Sequence, residues 1–167
     1  MYEVARVDAL ALVRRFRTND PFRIAEALGV FVRYTTFLQL KGAYIYFNRE
    51  HHIIVNSTLP EEEQRLVCAH ELGHVRLHRD AAVMAALEDY AFLSLRGRIE
   101  YEANLFAAEL LLDDGEVFSL MQEYTRDQAA AILRIDPGLL DFKLFSMQKR
   151  DFQIRLPITF DSEFLAK

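Results

Sequence analysis

Three residues within one predicted helix have the types and the spacing of a hydrolytic metal site: His70, Glu71 and His74, in the segment HELGH. Residues four apart lie one turn apart on the same helix face, so the two imidazoles can converge on one zinc ion. Glu71 projects in an adjacent direction, where it can take a proton from water as a general base without binding the metal. Bound zinc acidifies water and polarises a carbonyl oxygen, so the pattern predicts hydrolysis of a peptide bond.

A third metal ligand is expected from a second helix, because catalytic zinc usually takes three protein ligands and keeps one position open. Glu100 is the preferred candidate because it shares a helix face with the small residues Ala103 and Ala107. Those small residues would allow the two helices to approach closely, and Asn104 on the same face would accept the other N–H of a ligating histidine. Glu102 is the alternative ligand, but it lies about 200° around the helix from Glu100, so only one of the two can face the metal.

Three further residues near the motif are not predicted to bind the metal or to act as a nucleophile. His78 continues the four-residue spacing, but about 12 Å along the helix axis separates it from His70, which is too far to share one ion. Cys68 lies in an apolar helical run and is expected to be an inert core residue. Gly73 costs about 1 kcal/mol relative to alanine inside a helix, so its presence suggests close approach of another backbone or of a substrate.

The elements that must position these residues follow from the hydrophobic pattern. Helices are predicted at about residues 7–16 and from the N-cap Asp20, with Pro21 in the first turn, to near Gly29. Runs of β-branched and aromatic residues predict strands at 30–35, 43–47 and 52–55, the last two joined by a turn at 48–50. A T-x-x-E capping signature at 58–61 predicts the start of the zinc helix, which runs to about residue 79, and further helices are predicted at 81–95, 99–112 and 116–124.

The order of these elements predicts an α+β fold of one domain. Strands joined by hairpins pair antiparallel, so a small antiparallel sheet is expected, followed by the zinc-binding and glutamate-bearing helices. Residues 125–147 resemble a helix-turn-helix with its turn at 136–138, but Asp136 and Asp141 offset Lys143 on the second helix. Packing or substrate docking is therefore expected there, not DNA contact. The peptidase core is assigned to residues 1–124, and 125–167 to a helical extension packed on it, not to an independent domain.

The composition describes a globular protein whose expected partner is another protein. The 167 residues are 51% hydrophobic with a formal net charge of −5 and no long Lys/Arg run, so a nucleic-acid partner is not expected. The N-terminal segment lacks the apolar stretch of a signal peptide, and no run approaches the length of a membrane span. Because Cys68 is the single cysteine, a reducing compartment is favoured, and we expect a soluble cytoplasmic protein.

Several motifs in combination resemble the ImmA/IrrE metallo-endopeptidases: AHELGH at 69–74, LH at 77–78 and ExxANxFAxxLL at 100–111. The likeness covers about residues 19–148. It implies a zincin-like fold, one Zn²⁺ per chain held by two histidines and a glutamate, and a role in relieving repression by cleaving a repressor protein in a mobile element or a stress response. The family commonly has Met-Pro after the paired leucines, whereas this chain reads Leu112, Asp113, Asp114, a difference that affects a loop and not the ligands.

The predicted function is therefore that of a stand-alone zinc endopeptidase that cleaves a helix-turn-helix transcriptional repressor. Two alternatives come from other classes. A degenerate peptidase could act as a protein-binding regulator, or a helix-turn-helix protein could keep a purely structural zinc site. The intact Glu71 argues against both, because a structural site has no use for a general base beside an open coordination position.

Overall fold

Helices precede and follow one small sheet in this chain. A computed structural model describes residues 2–37, 39–78 and 90–153. In chain order, its elements are α1 (Tyr2–Phe16), α2 (Pro21–Ala27), β1 (Phe31–Thr35), β2 (Gly42–Phe47), β3 (Glu50–Asn56), α3 (Glu61–Leu77), α4 (Tyr90–Leu111), α5 (Asp114–Glu123), α6 (Arg126–Leu133) and α7 (Pro137–Gln148). The predicted α+β class is confirmed, while most of the helix predicted at 81–95 lies outside the described residues.

The sheet is mixed, which corrects the prediction of an antiparallel one. Its strand order is β1-β3-β2. β2 and β3 form the predicted antiparallel hairpin, but β1 pairs with β3 in parallel, from Phe31 opposite His52 to Thr35 opposite Asn56. The reason is that residues 36–41 carry the chain from one edge of the sheet to the other before β2 begins. The returning strand β3 then fills the central position and runs in the same direction as β1.

The hairpin turn explains why β2 and β3 keep one register. Asn48 and Arg49 have φ values of 52° and 66°. Two consecutive positive φ values match the twist of a two-residue hairpin, and asparagine tolerates this region better than most residues. β3 therefore begins at Glu50, two residues earlier than the sequence pattern indicated.

Helix α3, which carries the HELGH segment, starts in a different way from the predicted capping box. Its N-cap is Pro60, whose side chain makes no capping hydrogen bond. The Thr58 hydroxyl instead donates to Asn56 Oδ1 at 2.8 Å, so it is engaged in the loop that closes β3. In contrast, Asp20 caps α2 as predicted, accepting from the backbone N–H groups of Phe22 and Arg23.

The core lies on both sides of α3. One side packs on the sheet, where Ile53 and Val55 of β3 are fully buried, and the other side packs on α4, where Leu105 and Phe106 are fully buried. Because α3 is covered on two faces, it is buried over most of its length, from Leu66 to Val75. The site residues on this helix are therefore held by the core itself.

The C-terminal helices α6 and α7 are present where the sequence predicted them, and α7 packs on α4. Most of α7 is buried, and Lys143 is only 1% exposed, with Nζ bonded to Glu109 at 2.8 Å and to Asp114 at 2.7 Å. The second helix of this unit thus contributes to the core. The boundary at residue 124 and the absence of nucleic-acid binding stay predictions.

Across the described ranges, no helix combines the length and the apolar character that crossing a bilayer requires.

Candidate metal centre

The close packing of α3 on α4 creates the site. A Cβ atom added at Gly73 would lie 3.1 Å from the Cα of Ala103 and 3.2 Å from its carbonyl oxygen. Gly73 and Ala103 therefore allow the two helix backbones to approach closely, as the sequence pattern suggested. This approach brings the side chains of α4 within reach of the histidines on α3.

The three predicted ligands come together at this contact. His70 Nε2 lies 3.0 Å from His74 Nε2 and 3.2 Å from Glu100 Oε2, and His74 Nε2 lies 3.7 Å from the same carboxylate oxygen. A tetrahedral ion with bonds of about 2.0–2.1 Å separates its ligand atoms by roughly 3.3 Å. The spacing and the donor set, two imidazole nitrogens and one carboxylate oxygen, therefore fit a divalent metal of the zinc type.

Asn104 orients one of these ligands. Its Oδ1 lies 2.8 Å from His70 Nδ1, and its side chain is almost fully buried. An amide oxygen only accepts, so Nδ1 donates, and the lone pair of His70 Nε2 is directed to the centre of the cluster. Glu100 and Asn104 are one turn apart on α4, so one helix face supplies both a predicted ligand and the group that orients His70.

The carboxylate of Glu100 is held in its ionised form. Burial by itself would raise the pKa of Glu100, but the adjacent imidazoles of His70 and His74 hold it well below its usual value. Its side chain keeps 24% of its surface exposed, whereas that of His70 keeps 7%. Within the described residues, the cluster is therefore more deeply buried at His70 than at Glu100.

Glu71 lies next to the cluster, against the free edge of β2. The pKa of Glu71 is raised to about 7, chiefly by burial and also by Glu100, while His74 and the backbone N–H of Tyr44 act in the opposite direction. A Cβ added at Gly42 would collide with Val67 Cγ1 and lie 3.4 Å from Glu71 Oε1. Because the Tyr44 amide bonds to Glu71, it points away from β3, so the carboxylate lies along the outer edge of the sheet.

The residues that the sequence analysis set aside lie outside this cluster. Glu102 Oε2 is 3.5 Å from His78 Nε2, and Glu102 Oε1 accepts from Arg98 at 3.2 Å. The pKa of His78 is lowered to about 4, chiefly by burial and also by the nearby His74. Cys68 is fully buried, and burial raises the pKa of its thiol well above the usual value, so it is neutral.

One polar pair near Glu71 was not found from the sequence. The Tyr44 hydroxyl lies 2.7 Å from His51 Nδ1, and the two rings are stacked with centroids 5.7 Å apart. Gly42, Tyr44 and Tyr46 alternate along β2, so their side-chain positions share the sheet face that contacts α3. The alternation was visible in the sequence, but which face would meet α3 was not.

Comparisons with known proteins agree with this arrangement. The sequence matches the Peptidase_M78 family, described as the IrrE N-terminal-like domain, over residues 25–144. It is 31% identical over 150 residues to "Uncharacterized immunity region protein 2" of Bacillus phage phi105, covering 89% of this chain and 94% of that protein. It is 24% identical over 137 residues to "Metallopeptidase ImmA" of Bacillus subtilis (strain 168), covering 80% of each chain.

Proposed function

This chain belongs to the Peptidase_M78 family of IrrE N-terminal-like domains, and on that basis we propose that it is a zinc-dependent endopeptidase that cleaves a repressor protein. The observation that carries the proposal is the convergence of His70 Nε2, His74 Nε2 and Glu100 Oε2 beside the buried carboxylate of Glu71. A purely structural zinc site would not need Glu71, the fourth residue of this group and an acid that binds no metal.

Each residue has a separate role in this proposal. His70, His74 and Glu100 hold the ion, and Asn104 keeps His70 in the tautomer that binds through Nε2. When bound, zinc would supply acidification of water and polarisation of the scissile carbonyl. Glu71 takes a proton from the attacking water and passes it to the amine nitrogen of the leaving product.

The free edge of β2 is the proposed support for the substrate backbone. In the described part of the chain β2 pairs only with β3, so its outer edge is the side on which a further strand could add to the sheet. An extended peptide that pairs with this edge would pass directly beside Glu71, because the Tyr44 amide on the same edge bonds to that carboxylate. Main-chain pairing would bind the substrate without requiring a particular sequence.

The proposed substrate is a helix-turn-helix transcriptional repressor, so the expected place of action is the cytoplasm. The support is the family resemblance together with the relatives, one named for a phage immunity region and one named metallopeptidase ImmA. Relief of repression would need cleavage at only one or a few exposed positions. A peptidase with a general backbone-binding edge and a separate selective surface would meet that need.

The test uses the zinc-loaded wild type and the Glu71→Gln variant with two substrates, a candidate helix-turn-helix repressor and casein. Glu71→Gln removes the base but no ligand, so we expect it to keep the fold and the metal and to lose at least about 99% of turnover. Mass spectrometry of the fragments should show one or a few cuts in the repressor.

Two outcomes would contradict parts of the proposal. Rapid digestion of casein at many sites without cleavage of the repressor would exclude the regulatory role and leave the metal chemistry standing. Equal activity of wild type and Glu71→Gln toward the repressor would instead support a non-catalytic regulator that acts by binding its partner.

A further inference from the structure

A second concave surface lies at the N-terminal end of α3. It has a volume of about 960 Å³ and is formed by the first turns of α3, the end of α4, the start of α5 and the turn between α6 and α7. We call it the α3 groove and define it by Lys41, Glu62, Leu66, Leu111, Glu116 and Ile132. None of the three metal-cluster residues lines it.

The α3 groove is continuous with the proposed substrate edge. Lys41 lines the groove, and the next residue, Gly42, begins β2. Tyr44, whose amide bonds to Glu71, lies three residues beyond Lys41, which is about 10 Å along an extended strand. Val67 lines the groove as well and is the residue that a Cβ on Gly42 would strike. A peptide on the β2 edge that passes Glu71 would therefore reach the groove within a few residues.

The groove offers an apolar floor and one exposed apolar residue at its rim. Leu66 and Leu112 are each 6% exposed and form part of its base, while Ile132 on α6 is 51% exposed. An exposed isoleucine above a buried leucine floor favours contact with an apolar side chain of a bound segment.

The charged residues of the groove have an acidic excess. Five carboxylates, Glu61, Glu62, Glu63, Glu116 and Asp136, stand against three basic side chains, Lys41, Arg65 and Arg134. Two of the basic groups are already engaged with groove carboxylates, since Lys41 lies 3.6 Å from Glu63 and Arg134 lies 3.8 Å from Glu62. The remaining carboxylates favour a positively charged partner.

We propose that the α3 groove selects the substrate protein by binding a cationic segment with an apolar anchor, three or more residues from the cleaved bond. This inference rests on the proposed function, because the segment is part of the same substrate chain that lies along β2. Binding at the groove raises the local concentration of one cleavable segment at Glu71, so the groove supplies the selectivity that backbone pairing lacks. DNA-binding proteins carry such cationic segments on their surfaces.

The test measures binding without cleavage. Fluorescence anisotropy follows two short labelled peptides with the same Leu and Ile positions, one carrying Lys and the other Glu between them, against zinc-loaded full-length Glu71→Gln protein. We expect the Lys peptide to bind about tenfold tighter than the Glu peptide. Adding Glu116→Lys to this protein should weaken binding of the Lys peptide about fivefold. Adding Ile132→Ser instead should weaken binding of the same peptide to a similar extent.

The matched control is Glu123→Lys, which makes the same charge reversal at an exposed position of α5 outside the groove. It should change the affinity less than about twofold. Circular dichroism checks that each variant is folded. If Glu116→Lys does not fold, Ile132→Ser still tests the inference. Equal affinities for the two peptides, or equal effects of Glu116→Lys and Glu123→Lys, would overturn the inference.

A groove occupied by a second copy of this chain would give a different result. In that case Ile132→Ser would lower the mass measured by sedimentation and leave the peptide affinities unchanged, which would also overturn the inference. Failure of the proposed function is seen separately, as equal cleavage by wild type and Glu71→Gln, and does not alter the binding measurement.

Discussion

At the scale of single residues, the candidate centre depends on which atom each side chain directs to the cluster. His70 is buried and uses Nδ1 to contact Asn104, so Nε2 is the nitrogen available to a metal. Glu100 is the acidic side chain of α4 that reaches both histidines, while Glu102 contacts His78. The two glutamates are two residues apart, yet helix geometry sends them to different neighbours.

This difference predicts the effect of removing each glutamate. Glu100→Ala should lower zinc affinity by at least about a hundredfold, because it removes a ligand, whereas Glu102→Ala should change it less than about threefold. Metal analysis after dialysis and competition with a chromogenic chelator measure both effects. Full zinc affinity in Glu100→Ala together with its loss in Glu102→Ala would show that the ligand assignment is wrong.

At the scale of elements, the close contact between α3 and α4 depends on the lack of a side chain at Gly73. A Cβ on Gly73 would meet the backbone of Ala103, and the Cβ of Phe106 would lie 3.3 Å away. Since backbone atoms of a packed helix cannot rotate aside, the helices would have to separate by a few tenths of an ångström. Such a shift would also change the distances between the histidines of α3 and Glu100 on α4.

Two glycine substitutions should therefore have opposite effects on the free energy of unfolding. Gly73→Ala should destabilise the protein by roughly 1–3 kcal/mol, because overpacking exceeds the gain in helix propensity. Gly97→Ala in α4 should stabilise it by about 0.5–1 kcal/mol, because a Cβ there meets no atom of the described residues within 4 Å. Urea denaturation of both variants, with zinc titration of each, would check this, and a Gly73→Ala protein as stable as wild type would contradict it.

At the scale of the whole molecule, buried ion pairs join the C-terminal helix to the core. Lys143 of α7 bonds to Glu109 of α4 and Asp114 of α5, and Arg150 bonds to Asp114 with Nη2 to Oδ1 at 2.8 Å. These contacts explain why a lysine lies almost fully buried in α7. They also place Asp114, part of the departure from the family pattern at 112–114, in a structural role.

This network predicts how stability depends on pH. Hydrogen bonding from Arg150 holds the pKa of Asp114 well below its usual value, although burial opposes this, and Lys143 lowers it further. A depressed folded-state pKa gives stability that is present above the unfolded value of about 3.9 and is lost as pH falls toward the folded value. Asp114→Asn should thus cost roughly 1–3 kcal/mol at pH 7, and less as pH falls below about 4.

Urea denaturation of wild type and Asp114→Asn at a series of pH values measures this difference. Asp151→Asn, an exposed substitution in the segment after α7, is the control and should change stability by less than about 0.5 kcal/mol. A gap between wild type and Asp114→Asn that stays constant from pH 7 to pH 3 would exclude the predicted role of Asp114.

The sequence by itself determined what depends on local geometry. The four-residue spacing of His70 and His74, the shared face of Glu100 and Asn104, and the hairpin between β2 and β3 follow from the helix period, the strand period and the turn residues. These features need only a few neighbouring residues to be specified. The α+β class followed from the order of such local elements.

Only the tertiary structure decided features that depend on contacts between distant segments. The parallel pairing of β1 with β3, the burial of Lys143 and the α3 groove all join residues that are far apart in the chain. Their energies arise from packing and desolvation in the assembled core, which a periodic pattern does not encode. In the loop after β3 a local contact replaced the predicted one, because Thr58 bonds to Asn56 and leaves the predicted capping box unformed.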